Sequence, residues 1–115
     1  MNKLEITERQ AGDIIILDLT GRVTIGEESV ALRNTIRRQL GEGKKKILLN
    51  LGEVNYIDSS GIGELVSGFT AVAREGGTLK LLNLTQRIQD LLAITKLLTV
   101  FDVYDNENEA LSSVS

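Results

Sequence analysis

Apolar residues alternate between two rhythms from one end of this chain to the other. Residues 3–10 place Leu4 and Ile6 on one side and Lys3, Glu5 and Thr7 on the other, the two-residue period of a half-buried edge strand. After a turn at Ala11-Gly12-Asp13, the isoleucine-dense run 14–19 reads as a central strand, paired with the first as a hairpin and ended by Gly21. The period then lengthens. Thr24-Ile25-Gly26-Glu27 has the Thr-x-x-Glu form of a capping box and so starts a helix. Leu32, Ile36 and Leu40 give that helix a buried stripe, Arg33, Arg37 and Arg38 lie outside it, and Gly41 and Gly43 stop it.

Residues 47–51 form a short apolar run whose composition suits a strand covered on both faces. The polar stretch around Asp58-Ser59-Ser60-Gly61 follows, and leads into a helix that reaches about Arg74, with Ile62, Leu65, Val66, Phe69, Val72 and Ala73 on its buried face. Glu75-Gly76-Gly77 ends it. Residues 78–84 predict a strand, and Ile88, Leu91, Leu92, Thr95 and Leu98 predict a helix over Thr85 to about Leu97. A short strand at 101–104 and a polar helix at 106–113 complete the chain. The order is β-β-α-β-α-β-α-β-α. Strands separated by helices need crossover connections, so the fold class is α/β, a single mixed, largely parallel sheet flanked by helices. At 115 residues, without repeat or proline, the whole chain, 1–115, is expected to be one domain.

Composition narrows the function classes. The chain is 42% hydrophobic and 25% charged, the balance of a water-soluble globular protein, and with aromatics at 3% its core is built from Leu, Ile and Val. A net charge of −3 offers no basic face for nucleic acid. The one basic run, Lys44-Lys45-Lys46, precedes an apolar strand and reads as a solvated loop or gatekeeper. The absence of cysteine removes disulfides, thiol nucleophiles and sulfur-ligated zinc; the absence of histidine removes the commonest general base and metal ligand. The first residues are charged and lack the apolar core of a signal peptide, and no apolar run is long enough to span a bilayer. A cytoplasmic protein with no metal, no cofactor and no direct membrane contact is expected.

The candidate chemistry is concentrated between the third strand and its helix. Asp58-Ser59-Ser60-Gly61-Ile62-Gly63 lacks the first glycine of a nucleophile elbow and has no histidine base, so catalysis is not expected. Gly61-Ile62-Gly63 is too short for a dinucleotide fingerprint, and no Gly-Lys-Ser/Thr follows. Two readings stay open. Asp58, Ser59 and Ser60 are all helix-capping residue types, and a cap is the simpler account. A serine at this junction is also placed to accept a phosphoryl group, which adds about −1.5 to −2 charges and turns a docking surface against its partner.

Asp58-Ser59-Ser60-Gly61-Ile62-Gly63, preceded by Leu48-Leu49-Asn50-Leu51, resembles the signature of the STAS domain, and specifically of the bacterial anti-sigma factor antagonists. The likeness extends to Leu19-Thr20-Gly21, to Gly76-Gly77 and to Leu97-Leu98-Thr99-Val100-Phe101. The resemblance implies a non-enzymatic switch. The unphosphorylated antagonist binds an anti-sigma factor that is also a serine kinase, and so frees a sigma factor. Phosphorylation ends the interaction, and a metal-dependent serine phosphatase resets it. By position in the motif the acceptor is Ser59. Asp58, Ser60 and Gly61 match the docking surface, with Thr24, Ile25 and Glu27 beside it. Many members carry an acid shortly after the glycine of the second strand. Here Arg22 is basic and no acid comes before Glu27, which implies a differently charged partner. The alternative within the same family is a constitutive STAS scaffold or transport-system subunit, without phospho-switching. Homodimerisation stays open, since a sheet edge can pair with a second copy.

Overall fold

The computed structural model describes residues 3–114. Its core is a sheet of five strands in the order β1-β2-β3-β4-β5. β1 (Leu4–Ala11) and β2 (Ile14–Val23) form the antiparallel hairpin, turning at Gly12-Asp13, with Gly12 in the left-handed region at φ 64. β3 (Lys46–Ile57), β4 (Thr78–Leu82) and β5 (Val103–Tyr104) then add in parallel. The connecting helices are α1 (Glu27–Gly41), α2 (Ser59–Arg74) and α3 (Gln86–Ile94), and α4 (Glu107–Val114) closes the described chain. The expected order and mixed sheet are both present.

Because side chains alternate across a strand, one face of the sheet carries Ile15, Leu17, Leu19, Ile47, Leu49, Leu51, Leu79 and Leu81, and these pack with Leu32, Ile36, Leu65, Val72, Ile88 and Leu92 from α1, α2 and α3. The opposite face carries Ile14, Ile16, Leu48 and Leu82 under Ala110 and Val114 of α4. The run 47–51 is thus covered on both faces, as its composition predicts. Phe69 and Phe101 meet edge to face at 5.4 Å, an aromatic contact inside an otherwise aliphatic core.

Several boundaries differ from the sequence reading, each for a local reason. Gly21 does not end β2: it sits within the strand at φ 115, and a Cβ there would stand 2.1 Å from the Lys3 carbonyl oxygen. The capping box at Thr24 does not form either. α1 starts at Glu27, its N-cap is Gly26 at φ 103, and no side chain caps it. The Thr24 carbonyl instead accepts from both the amide and the hydroxyl of Ser29. β3 runs on to Ile57, pairing with the end of β2 through two register shifts. β4 stops at Leu82, where Asn83 adopts φ 60, and α3 stops at Ile94, after which Lys96 at φ 63 lets Leu97 and Leu98 donate back to the Leu92 carbonyl.

Candidate functional site

The parallel strands β2 and β3 end side by side, and the loop from β2 to α1 therefore lies against the start of α2. Asp58 joins them. It is the N-cap of α2, in extended conformation, and one carboxylate oxygen accepts from the Gly61 amide at 2.9 Å. The other oxygen accepts from the Ile25 amide at 2.9 Å, across 33 residues of sequence. The Asp58 amide in turn donates to the Val23 carbonyl at 3.2 Å. The Gly61 amide, and after it those of Ile25 and Ser60, stabilise the charged form and hold the carboxyl below the usual carboxylate range, against an opposing desolvation. The positive end of the α2 dipole acts in the same direction.

Gly61 makes this junction possible. A Cβ at that position would stand 2.4 Å from the Val23 carbonyl oxygen and 2.6 Å from Ile57 Cγ1, so only glycine lets the first turn of α2 approach the end of β2 so closely. Gly63, two residues on, faces open space.

The consequence for the hydroxyls is a division of exposure. Ser59, first residue of α2, is exposed; Ser60 is half-buried in the same turn. Beside them Ile25 is 75% exposed, an isoleucine held outside the core by the Asp58 bond to its own amide. Thr24 is half-buried and Glu27 exposed at the start of α1. Asp58, Gly61 and Ile25 are joined by direct contacts, whereas Thr24 and Glu27 belong to the site only through the loop they flank.

The structure adds neighbours that the sequence reading did not assign to the site. Tyr56, Ile57, Asp58, Ser59 and Ile62 form one wall of an open groove whose other wall is Arg87 and Leu91 of α3 with Thr95 at its C-cap. The Arg22 guanidinium lies over the Tyr56 ring, 5.3 Å from its centroid. An exposed tyrosine in a chain so poor in aromatics was the one available signal for Tyr56; nothing in the local sequence marks Arg87. The groove is open to solvent. Such a surface suits a macromolecular partner better than a small ligand. Among the described residues no helix is long and apolar enough to cross a membrane.

A mixed five-stranded sheet with an acid-capped, serine-bearing helix start at its rim is the arrangement of a STAS domain. The STAS domain pattern matches residues 5–110, and the chain belongs to that family. A Thermotoga neapolitana protein named for anti-sigma factor antagonism is 31% identical over 102 residues, covering 89% of this chain and 90% of that one. The anti-sigma-B factor antagonist of Bacillus subtilis is 29% identical over 100 residues, covering 87% and 90%. The crystal structure of an anti-sigma factor antagonist from Thermotoga maritima superposes with a TM-score of 0.85 at 25% identity, over 95% of this chain and 93% of that one. Relatives so named are regulatory binding proteins and not enzymes.

Proposed function

We propose that this chain is a cytoplasmic anti-sigma factor antagonist switched by phosphorylation of Ser59. In the unmodified state the surface formed by Asp58, Ser59, Ser60 and Gly61, with Thr24, Ile25 and Glu27 alongside, docks an anti-sigma factor that is also a serine kinase. The kinase passes the γ-phosphoryl group of ATP to Ser59 Oγ: the Oγ–P bond forms, the bond from phosphorus to ADP breaks, and the hydroxyl proton leaves to a base of the kinase. A serine phosphatase hydrolyses the ester and restores the docking form.

The observation that carries this reading is the pairing of an exposed Ser59 with an exposed Ile25 on one rim, fastened together through Asp58. The apolar side chain supplies contact area that a partner can bury. The serine places a switchable charge beside it. About two added negative charges next to Asp58 disfavour burial of that surface while leaving the backbone free to stay in place.

The test is incubation with the cognate kinase and ATP followed by mass spectrometry, with Ser59→Ala as the control. Phosphate taken up as readily by Ser59→Ala as by the wild type refutes the site. In a titration against the anti-sigma factor, Ser59→Asp is expected to bind at least about tenfold more weakly than Ser59→Ala, the loss of a modest 1.4 kcal/mol. Equal affinities favour the constitutive scaffold or transport-subunit reading.

A further inference from the structure

Ser59 borders the groove between the start of α2 and the side of α3, and that groove holds a cation paired with none of the groups that line it. Arg9, Arg33 and Arg38 are each committed to carboxylates, of Asp18 and Glu107, of Glu64, and of Glu8 and Glu42. Arg87, which lines the groove opposite Ser59, makes no ion pair or hydrogen bond among the described residues. It occupies the first turn of α3, whose cap is Thr85, so its own helix end adds positive potential to the same place.

The charged surroundings sharpen the asymmetry. On the β3 side the acid lining the groove is Asp58, and both its oxygens already accept backbone amides. On α3 the nearby Asp90 accepts from Gln86 at 2.8 Å and does not line the groove. Glu27 and Glu28, in the first turn of α1, are likewise outside it. Arg22 adds a second positive charge from β2, over the face of Tyr56. The groove is therefore lined by one guanidinium, Arg87, and by one carboxylate that is already engaged, while Arg22 lies outside the lining over Tyr56.

We propose that Arg87 is the phosphate-receiving residue of the modified protein: it grips the phosphoryl group on Ser59 across the groove and ties α3 to the start of α2. The proposal rests on the reading of Ser59 as the acceptor and adds what becomes of the phosphate. The planar guanidinium fork matches a phosphate edge with two parallel hydrogen bonds, which a lysine ammonium cannot reproduce. Phosphorylation then acts in two ways. It adds repulsive charge to the docking rim, and it bridges the start of α2 to α3 across the groove. The phosphatase has to displace Arg87 to reach the ester.

The experiment installs phosphoserine at position 59 during translation, so its outcome does not depend on any kinase. The phosphate is titrated by 31P NMR in the full chain, with a phosphopeptide of residues 56–62 as reference. The second ionisation of a free phosphoserine lies near 6. In the folded wild type it is expected at least about half a pH unit lower than in the peptide, about a threefold change in proton affinity. Arg87→Gln should return most of that difference and Arg87→Lys only part of it, with unchanged circular dichroism because the side chain is exposed. A wild-type value equal to the peptide's, or one that Arg87→Gln leaves in place, overturns the proposal. Binding of the same phosphoserine protein to the anti-sigma factor is measured separately. Undiminished binding there refutes the switch without touching the Arg87 contact.

Discussion

Asp58 is asked to do two jobs with two oxygens, and each has its own expected signature. As a cap it satisfies the Gly61 amide, and its removal costs about 1 kcal/mol by the usual measure of N-caps. As a tether it fixes Ile25 at the rim. Asp58→Ala is therefore expected to lower stability by about that amount at neutral pH, measured by urea unfolding, and to weaken partner binding further than the stability loss explains. The pH dependence has a definite sign. The folded carboxyl titrates below its unfolded value of about 3.9, so its contribution is complete above that value and is lost as pH falls through the folded one. The gap between wild type and Asp58→Ala should narrow below about pH 4. Gly61 and Gly63 give a paired test two residues apart. Gly61→Ala drives a methyl into the Val23 carbonyl and is expected to cost about 1–3 kcal/mol. Gly63→Ala, in open space on a helix, should gain about 0.5–1 kcal/mol. Thermal unfolding of the two variants reads both. The acid, the hydroxyls and the glycine of this motif could be seen in the sequence because capping is a local affair. The Ile25 tether could not, because it joins residues brought together only by the parallel pairing of β2 with β3.

At the next level of organisation, α1 shows what local pattern misses. Thr24 and Glu27 have the spacing of a capping box, yet the chain enters α1 through Gly26 at φ 103 and ψ −135, a conformation that denies Thr24 the cap position. Gly26→Ala is expected to destabilise by about 1–3 kcal/mol although no atom lies within 4 Å of the added methyl, because the cost is backbone strain alone. Hydrogen exchange should report it as faster opening of the first turn of α1, including the Val30 amide that bonds to Gly26. A glycine read as a stop was wrong at Gly21 for a related reason. There it serves a close approach of Lys3 inside a continuing strand, and a single sequence does not distinguish the two uses. The buried strands and α2 were readable because their apolar residues repeat with one clear period. β3 beyond Leu51 was not, since Gly52-Glu53 interrupts the period while the backbone pairing carries on.

Across the molecule the two faces of the sheet are unequally protected. Three helices cover one face, and α4 with its eight residues covers the other. Two cationic side chains from the sheet fasten α4: Arg9 bridges Asp18 and Glu107, and Lys80 donates to Ser113 at 3.1 Å. Deleting residues 107–115 uncovers Ile14, Ile16, Leu48 and Leu82 together. A contiguous apolar face of that kind is an association site. The truncated chain is expected to sediment as larger species than the intact one at the same concentration, and a truncated chain that sediments no larger than the intact one would show that α4 is dispensable as a cover.

The strand order β1-β2-β3-β4-β5 never doubles back, and that has a kinetic meaning. A sheet whose neighbours in space are neighbours in sequence can be laid down in the direction of synthesis, each strand joining an edge that is already present. The β1–β2 hairpin needs only a two-residue turn and can template the rest before the second half of the chain has left the ribosome. Every later pairing closes a loop of one helix and its flanks, so each strand can pair soon after it is made. The nascent rim bearing Ser59 is complete once β3 and the first turns of α2 are out.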